Sequence, residues 1–354
     1  MGAGGAERVV GHMARHWAGC GHEVHVVTLA DPGTEPFYPL PEAVRLHQLG
    51  LSGASGGVAS GVRANLRRVC ALRTALAGIG PDVVVSHVDA MNALVGLALV
   101  GMRCPHVVTE HIHPPAHDIG RAWGALRRLS YRLADRIVVL TEATRQWMPP
   151  GARRKTVVIP NPVEPFEPVP ENERVRRFER TVLGVGRLVP QKGFDRLLEA
   201  FALIRDRYAD WGVVILGEGP ERERLSAQAV RLGVADRVAL PGVIANPLGR
   251  YTADIFCLSS RYEGFPMALC EAMAAGLPPV AFDCLTGPAE LIENGQSGVL
   301  VPEGDVGAMA QGLGQLMDDP RRCEALGRAA AERVLDFAPE AVMVRWEALF
   351  AGMA

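Results

Sequence analysis

The sequence is poor in the features that mark several large classes of protein. Aromatic residues are only 6% of the 354 residues, whereas 48% are hydrophobic. With many Ala, Val, Leu and Gly, this composition suits a parallel sheet covered by helices better than an all-β fold. The longest apolar run, at 90–102, is shorter than the ~20 residues that a membrane-spanning helix needs. We therefore expect a soluble α/β chain, or one that lies on a membrane surface.

The cysteines show no pattern of a metal site or of a disulfide framework. Seven are present: Cys20, Cys70, Cys104, Cys257, Cys270, Cys284 and Cys323. None belongs to a CxxC pair, and Cys257 and Cys270 stand in apolar runs typical of buried small side chains. An odd number without a framework favours a reducing, cytoplasmic location. The first residues also lack a basic stretch followed by an apolar one, so we predict no signal peptide.

Charge is nearly balanced over the whole chain but not between its halves. The net charge of −2 gives no general attraction to nucleic acid. Residues 1–162 carry 17 Lys/Arg and 11 Asp/Glu, a balance of +6, whereas 163–354 carry 20 and 28, a balance of −8. This asymmetry indicates two domains with different partners, the first with an anionic one. Uneven solvated surface charge explains the same numbers and stays open as an alternative.

Short apolar runs alternate with helical stretches along the chain. The predicted strands are 21–30, 81–88, 103–111, 134–143, 179–188, 210–219, 236–244, 253–260 and 277–284. Segment 155–173 holds five prolines and is the predicted linker. The alternation predicts βα units in two domains with parallel sheets. Because such sheets bind ligands at the carboxyl ends of their strands, we expect the two domains to face each other across a cleft.

Two segments of the second half carry candidate chemistry. In 184–201, a glycine turn between a strand and a helix is flanked by Arg187 and Lys192, which favours a diphosphate. In 259–280, Glu263 and Glu271 flank the start of a helix whose free N–H groups favour phosphate, while carboxylates accept bonds from sugar hydroxyls. An ordinary glycine turn and a helix cap with a solvated glutamate are the alternatives. Glu271 stands among apolar residues, where an unpaired charge is costly.

Together with a Gly- and Pro-rich segment at 282–305, these motifs resemble one family, the retaining nucleotide-sugar glycosyltransferases of the GT-B fold, in particular glycosyltransferase family 4. The motifs, in the family's order, are GGAER (4–8), ADRIVVLTEATRQ (134–146), VIPNPV (158–163), VGRLVPQKG (185–193), LGEGPER (216–222), LPGV (240–243), EGFPMALCEAMAAGLPPV (263–280), TGPAELI (286–292) and NGQSGVLVPEGD (294–305). The resemblance implies two Rossmann-like domains, an acceptor-side domain at 1–162 and a donor-binding domain at 163–335. A C-terminal helix at 336–354 would cross back to the first domain.

The resemblance also implies roles for individual residues. The residues that would bind the donor are Gly186, Arg187, Lys192, Glu263, Gly264, Phe265, Pro266, Met267 and Glu271. Arg187 and Lys192 would hold the donor diphosphate and stabilise charge on the leaving nucleotide. Glu263 would contact the donor sugar, and Glu271 the ribose hydroxyls. On the acceptor side, His111 matches the family's active-site histidine, and Gly4 and Gly5 would approach the reacting centre.

The implied reaction moves a hexose or N-acetylhexosamine from a UDP-sugar to a saccharide acceptor, without a metal or a further cofactor. The acceptor would be linked to a lipid diphosphate, in bacterial polysaccharide, lipopolysaccharide or glycan assembly. The departing phosphate can deprotonate the acceptor hydroxyl on the same face, and a double displacement through a carboxylate is the alternative. His111, His113 and His117 leave a metal site open as a second interpretation of segment 109–118.

The expectation of a membrane contact rests on a basic helix predicted at 121–136. This helix carries Arg121, Arg127, Arg128, Arg132 and Arg136. Such a helix would dock on anionic lipid, placing the protein peripherally on the inner face of the membrane. An ordinary amphipathic helix that covers the sheet is the alternative.

Family members normally begin with a strand before GGAER, and we find none in the sequence. The first strand of a doubly wound sheet is central, so its absence would leave neighbouring strands unpaired and open a groove in the core. A mis-chosen start, or a gap filled by another segment or chain, would account for this. So would a third interpretation, a catalytically impaired sugar-nucleotide or glycan-binding GT-B protein. A UDP-sugar epimerase is also open, but it should lack the Glu263 and Glu271 pair.

Overall fold

The computed structural model describes residues 5–53, 58–116 and 119–353. The chain divides into two compact units, one made of Met1–Pro162 with Pro339–Ala354 and the other of Val163–Ala338. The predicted linker lies at this division, but its first residues, Thr156–Val158, form a strand. The first proline of the linker comes only at position 160, so the backbone before it is free to pair.

The first unit contains two parallel sheets among its described residues. Its strands are β1 (Val24–Thr28), β2 (Val44–Gln48), β3 (Val84–His87), β4 (His106–Glu110), β5 (Arg136–Val139) and β6 (Thr156–Val158). β1 pairs with β2, and a separate sheet has the order β3-β4-β5-β6. A cavity of about 880 Å³ lies between the facing edges of β1 and β3. The groove expected from the sequence is therefore present.

Helices cover both faces of these sheets. They are α1 (Gly5–Gly19), α2 (Val58–Ile79), α3 (Asp89–Ala98), α4 (Gly120–Leu133), α5 (Glu142–Trp147) and α6 (Pro150–Arg153). Val9 and Met13 of α1 join one apolar cluster with Val107 of β4 and Val138 of β5. The predicted helix 121–136 ends at Leu133, and Arg136 instead begins β5. It ends there because β5 has to start in register with β4, where Arg136 lies opposite Val107.

The second unit has a single six-stranded parallel sheet. Its strands are β7 (Arg180–Val185), β8 (Trp211–Leu216), β9 (Val238–Gly242), β10 (Ile255–Leu258), β11 (Pro279–Asp283) and β12 (Val299–Pro302). Its helices are α7 (Phe194–Ile204), α8 (Arg222–Arg231), α9 (Pro247–Arg250), α10 (Met267–Ala274), α11 (Pro288–Leu291), α12 (Val306–Asp318) and α13 (Pro320–Val334). The order β12-β11-β10-β7-β8-β9 is doubly wound, and the winding reverses between β7 and β10.

The last helix, α14 (Pro339–Ala351), belongs to the first unit. Its Trp346 packs edge-on against Trp17 of α1, with ring centroids 6.1 Å apart, and both rings contact Phe350. The C-terminal segment that belongs to the first unit starts at Pro339, three residues after the predicted boundary at 336. Among the described residues, no helix is both long enough and apolar enough to cross a bilayer.

Candidate functional site

The two motifs of the second unit meet at the point where its sheet reverses direction. The turn after β7 carries Gly186, Arg187 and Lys192, and the loop after β10 carries Glu263. β7 and β10 are neighbours, so the carboxyl ends of both strands open at one place on the sheet edge. This is the position where doubly wound sheets bind their ligands.

Lys192 and Glu263 form an ion pair at this point. The Nζ of Lys192 lies 2.7 Å from Oε1 of Glu263, and the two side chains are 17% and 6% exposed. The Ser260 hydroxyl donates a second hydrogen bond to the same oxygen at 2.6 Å. The other carboxylate oxygen, Oε2, accepts no hydrogen bond from the described residues. Glu263 is therefore held through one oxygen and can offer the other to a ligand.

Arg187 differs from Lys192 in its surroundings. Its side chain is exposed and has no hydrogen bond or ion pair within the described part of the chain. Burial therefore does not restrain the guanidinium, which is free to turn toward an anion. Gly186, the residue directly before Arg187, has no side chain, and a Cβ there would come within 3.2 Å of the Lys192 Cε. Because Gly186 has no Cβ, the Lys192 side chain can pack closely against the backbone of the turn.

The loops after β7 and β10 are fastened to each other by backbone groups. The Arg261 backbone N–H donates to the Gln191 backbone carbonyl at 2.8 Å, and the side-chain amide of Gln191 donates to the Tyr262 carbonyl at 3.1 Å. Gly193, at φ 63°, begins α7 against the Ser259 carbonyl, and a Cβ there would overlap that oxygen. Nearby, Arg261 binds Asp195 through two nitrogens, at 2.9 and 2.7 Å. These contacts fix Lys192 and Glu263 relative to one another.

Helix α10 presents a free N-terminus beside this pair. Gly264, Phe265 and Pro266 lead into it, and no side chain caps its first turn. The N–H groups and the dipole of an uncapped helix start favour an anion. Met267 and Glu271 lie one turn apart on α10, and Glu271 is half-buried rather than enclosed by the apolar residues around it in the sequence. The helix ends at Ala274 and Gly276 follows at φ 71°, as expected for a glycine after the C-cap.

In the first unit, His111 lies directly after β4 and contacts a second histidine. Its Nε2 is 3.0 Å from Nδ1 of His87, at the end of β3. The Thr109 hydroxyl donates to the Ser86 carbonyl at 2.8 Å and lies 2.9 Å from His87 Nδ1 and 3.2 Å from His111 Nε2, so it accepts from whichever of these two nitrogens carries the proton. Two tautomers fit these contacts: with the proton on His87 Nδ1, Nε2 of His111 accepts and Nδ1 of His111 carries an N–H, whereas with the proton on His111 Nε2, Nδ1 of His111 is an acceptor. That Nδ1 is buried and has no partner among the described residues.

Both imidazoles are held in the neutral form. Burial lowers the pKa of His111 to about 4. Burial, and then the proximity of His111, lower the pKa of His87 to about 3. The next residue, Val88, adopts φ 71°, a backbone conformation that a β-branched residue rarely takes. Such strain is typical of functional sites, where the surrounding fold imposes it.

A buried network that the motifs did not indicate supports this site. The carboxyl of Glu110 accepts a hydrogen bond from the Tyr131 hydroxyl at 3.0 Å, and burial raises the pKa of Glu110 to about 7. Arg127 of α4 pairs with Asp89 at 2.7 Å and is 7% exposed. Two residues of the predicted membrane-docking helix therefore face the core, as in the alternative of a helix that covers the sheet. Arg121, Arg128 and Arg132 remain exposed.

The remaining predicted residues fall outside these two clusters. Gly5 is the first residue of α1, and Gly4 lies outside the described residues. His113 contacts Thr144 at 3.2 Å rather than His111, and His117 is not among the described residues. Within the described ranges, one group of three side chains could hold a metal ion, namely His16, Cys20 and Glu347, away from His111.

Comparison with known proteins identifies the class to which this fold and these sites belong. The model described as Glycosyltransferase Family 4 matches residues 3–166, and that described as Glycosyl transferases group 1 matches residues 168–333. Sucrose-phosphate synthase from Thermosynechococcus elongatus superposes with a TM-score of 0.83 at 22% identity, over 99% of this chain and 94% of that one. The protein is thus a glycosyltransferase of the GT-B fold, and the chain belongs to glycosyltransferase family 4.

Two curated relatives are similar over most of their length. The GDP-mannose-dependent alpha-(1-6)-phosphatidylinositol monomannoside mannosyltransferase of Mycolicibacterium smegmatis is 34% identical over 282 residues, 69% of this chain and 71% of that protein. The GalNAc-alpha-(1->4)-GalNAc-alpha-(1->3)-diNAcBac-PP-undecaprenol alpha-1,4-N-acetyl-D-galactosaminyltransferase of Campylobacter jejuni is 28% identical over 357 residues, 99% of this chain and 96% of that protein.

Proposed function

We propose that this glycosyltransferase moves a hexose or N-acetylhexosamine from a UDP-sugar to a saccharide carried on a lipid diphosphate, with retention of configuration. The observation that carries the proposal is the Lys192–Glu263 pair, which lies where the sheet reverses, beside exposed Arg187 and the uncapped start of α10. The names of both relatives include a lipid-linked acceptor, which supports that part of the proposal. One relative is named as using GDP-mannose, so the nucleotide base needs a direct test.

The donor site would act mainly through charge. As the bond between the anomeric carbon and the phosphate oxygen breaks, its electron pair moves to the diphosphate. Lys192 and the N–H groups at the start of α10 would stabilise that negative charge because they are already in place, and the exposed Arg187 would turn toward it. Oε2 of Glu263 would accept a hydrogen bond from a sugar hydroxyl, and Glu271 from the ribose. Since these groups supply the positive charge, the proposed reaction uses no metal.

The new bond forms between the acceptor hydroxyl oxygen and the anomeric carbon, on the face that the phosphate leaves. The hydroxyl proton passes to a diphosphate oxygen, so the scheme needs no base from the protein. A double displacement would instead form a bond to a carboxylate. In the proposed reaction neutral His111 takes the tautomer with an N–H at Nδ1, donates a hydrogen bond from it to the transferred sugar, and takes no proton itself.

The first test compares nucleotides and then follows transfer. UDP, but not GDP or ADP, should raise the melting temperature, and a UDP-sugar with a glycan on undecaprenyl diphosphate should give product. Arg187→Ala should lower kcat/KM by about 10²–10³-fold, as loss of a charge-stabilising donor does elsewhere. Arg321→Ala, which removes another exposed arginine of the same unit, is the matched control.

The other possible results of these measurements would each indicate a different function. A melt raised by GDP alone would reject the uridine donor and keep the transferase. Nucleotide binding without turnover on any lipid-linked glycan would favour a non-catalytic binding protein. Interconversion of free UDP-sugars without an acceptor would indicate an epimerase.

A further inference from the structure

Three side chains with metal-binding atoms meet between the helices α1 and α14 of the first unit. His16 lies in the last turn of α1, Cys20 comes directly after that helix, and Glu347 belongs to α14. The Nε2 atom of His16 lies 3.1 Å from Oε1 of Glu347 and 3.7 Å from Sγ of Cys20. One ligand atom from each residue lies within 4.8 Å of the other two. A nitrogen, a sulfur and an oxygen are therefore grouped around one point.

These separations are close to those between the ligands of a tetrahedral zinc ion. Zn²⁺ lies about 2.0–2.1 Å from nitrogen or oxygen and about 2.3 Å from sulfur, so the ligand atoms of a tetrahedral site are about 3.4–3.6 Å apart. The observed 3.1 and 3.7 Å lie on either side of that range, and small side-chain rotations would close the difference. Imidazole, thiolate and carboxylate all bind Zn²⁺, whereas Mg²⁺ and Ca²⁺ prefer oxygen ligands alone. The ligand set therefore favours zinc.

The fold holds these side chains in place through the residues beside them. The Cys20 N–H donates to the His16 carbonyl at 3.0 Å, so the helical turn continues to position 20 and both side chains lie on one face. The sequence neighbours of His16 and Glu347 are Trp17 and Trp346, whose rings pack edge-on with centroids 6.1 Å apart. His16 and Glu347 are 331 positions apart in the chain and meet because this aromatic contact fixes one helix against the other.

The surroundings of the group suit a cation with one position open to water. The side chains of His16 and Glu347 are 30% and 49% exposed, and Cys20 is exposed as well. The carboxyl end of α1 carries the negative end of the helix dipole, which favours positive charge. Without an ion, the same contacts would leave an exposed pair of His16 with Glu347, and such pairs add little to stability.

We propose that His16, Cys20 and Glu347 bind one Zn²⁺ ion, with water as the fourth ligand, and that this ion fastens α14 to α1. On binding, Cys20 would release its thiol proton to solvent, while His16 would bind through Nε2 in its neutral form. The ligands come from the two chain segments of the first unit, Met1–Pro162 and Pro339–Ala354, which the second unit separates in sequence. None of the three is assigned to sugar transfer, so the ion would support the fold and not the reaction.

The first test compares two exposed cysteines within one protein. Cys20 and Cys70 are both exposed, but Cys70 lies on α2 and is not part of the group. With free Zn²⁺ at about ten times its Kd, only about one-tenth of Cys20 stays unbound, so its alkylation by iodoacetamide should slow about tenfold. Cys70 should react at an unchanged rate, as followed by mass spectrometry of the two peptides. Equal rates with and without Zn²⁺ at Cys20, or equal slowing at both cysteines, would overturn the proposal.

The second test identifies the ligands. Co²⁺ added in place of Zn²⁺ should give a thiolate charge-transfer band in the near ultraviolet with the wild type and with Cys70→Ser, but not with Cys20→Ser. Glu347→Gln should weaken Zn²⁺ binding by about tenfold or more and abolish the rise in Tm that Zn²⁺ gives the wild type. Glu340→Gln, at an exposed position in the first turn of α14, is the matched control and should bind as the wild type does.

Two results of the second test would reject the site. A Co²⁺ spectrum that is the same in Cys20→Ser as in the wild type would place the metal on other residues. Equal Zn²⁺ affinity in Glu347→Gln and Glu340→Gln would reject the link between α1 and α14. Because all of these substitutions are at exposed positions, the variants should fold, and a change in binding reports the ligands themselves.

Discussion

The two units use the same βα repeat, but only the second joins its described strands into one sheet. There β7 has β10 on one side and β8 on the other, and both site loops leave strands that are paired on both edges. In the first unit β4, which precedes His111, is equally well supported, whereas β3, which precedes His87, has one neighbour. The two histidines of the first unit therefore follow strands with different support, whereas both site loops of the second unit follow strands with a neighbour on each side.

The two sites also differ in how they handle charge. The second unit keeps an ionic pair, Lys192 and Glu263, at the sheet edge, whereas the first keeps two neutral imidazoles. An ionic pair is suited to an anionic leaving group, and neutral N–H groups are suited to hydroxyls. Four predictions address this contrast, and they are ordered by the size of the expected effect.

The largest expected effect is on the ionic pair. Lys192→Met should lower the free energy of unfolding by about 3–5 kcal/mol, because it leaves the Glu263 carboxylate buried without its partner. The double variant Lys192→Met/Glu263→Gln should lose less than the single one, since no uncompensated charge remains. Denaturant unfolding followed at Trp211, the one tryptophan of residues 163–338, measures both. A double variant that loses as much as Lys192→Met, or more, would contradict the coupling of the pair.

The second prediction concerns the turn that places Lys192. Gly193→Ala should cost about 3 kcal/mol, because its Cβ would overlap the Ser259 carbonyl as well as strain the backbone at φ 63°. Gly295→Ala is the matched control, with φ 79° and open space around the new Cβ, and should cost about 1 kcal/mol of strain alone. Similar losses for the two variants would mean that the packing of the site loops tolerates displacement.

Much of the second unit could be predicted from the sequence, because most of its strands are nearly continuous apolar runs. The motifs brought Gly186, Arg187, Lys192 and Glu263 to one place because neighbouring parallel strands end together. The contact of Lys192 with Glu263, and the hydroxyl of Ser260 that completes it, depend on side-chain positions that spacing does not determine.

The first unit was harder to predict. Strand β2, with the sequence VRLHQ, is polar at three of five positions and mostly half-buried, so it gives no apolar run. His87 and His111 are 24 positions apart and meet only through the register of β3 with β4. The sequence of the basic helix does not show that Arg127 is buried, because its partner Asp89 belongs to a different helix. Long-range pairs of this kind leave no local pattern.

The third prediction uses pH to separate the charges inside the first unit. Glu110 has a pKa raised from 4.5 to about 7, so its contribution to stability is present below about pH 4.5 and is lost as the pH rises to about 7. The pKa values of His87 and His111 are lowered from 6.5 to about 3 and 4, so their contribution is present above 6.5 and is lost as the pH falls.

Two substitutions should therefore change the pH profile in opposite directions. From pH 4.5 to 7, the stability of the wild type relative to Glu110→Gln should fall by about 3 kcal/mol. From pH 4 to 6.5, the stability of the wild type relative to His87→Gln should rise. Denaturant unfolding at a series of pH values measures both differences. Profiles that change in the same direction would contradict the assigned protonation states.

The smallest expected effect tests whether the positive first unit meets a membrane. Arg128 lies on the exposed face of α4 with Arg121 and Arg132, whereas Arg127 of the same helix is buried against Asp89. Arg128→Ala should weaken binding to vesicles that contain anionic lipid by about 1 kcal/mol, or fivefold, and the loss should shrink as salt is added. Arg321→Ala removes an equal charge from the second unit and should leave vesicle binding unchanged. Equal losses for the two variants would mean that the attraction follows total charge and would reject a specific contact between α4 and lipid.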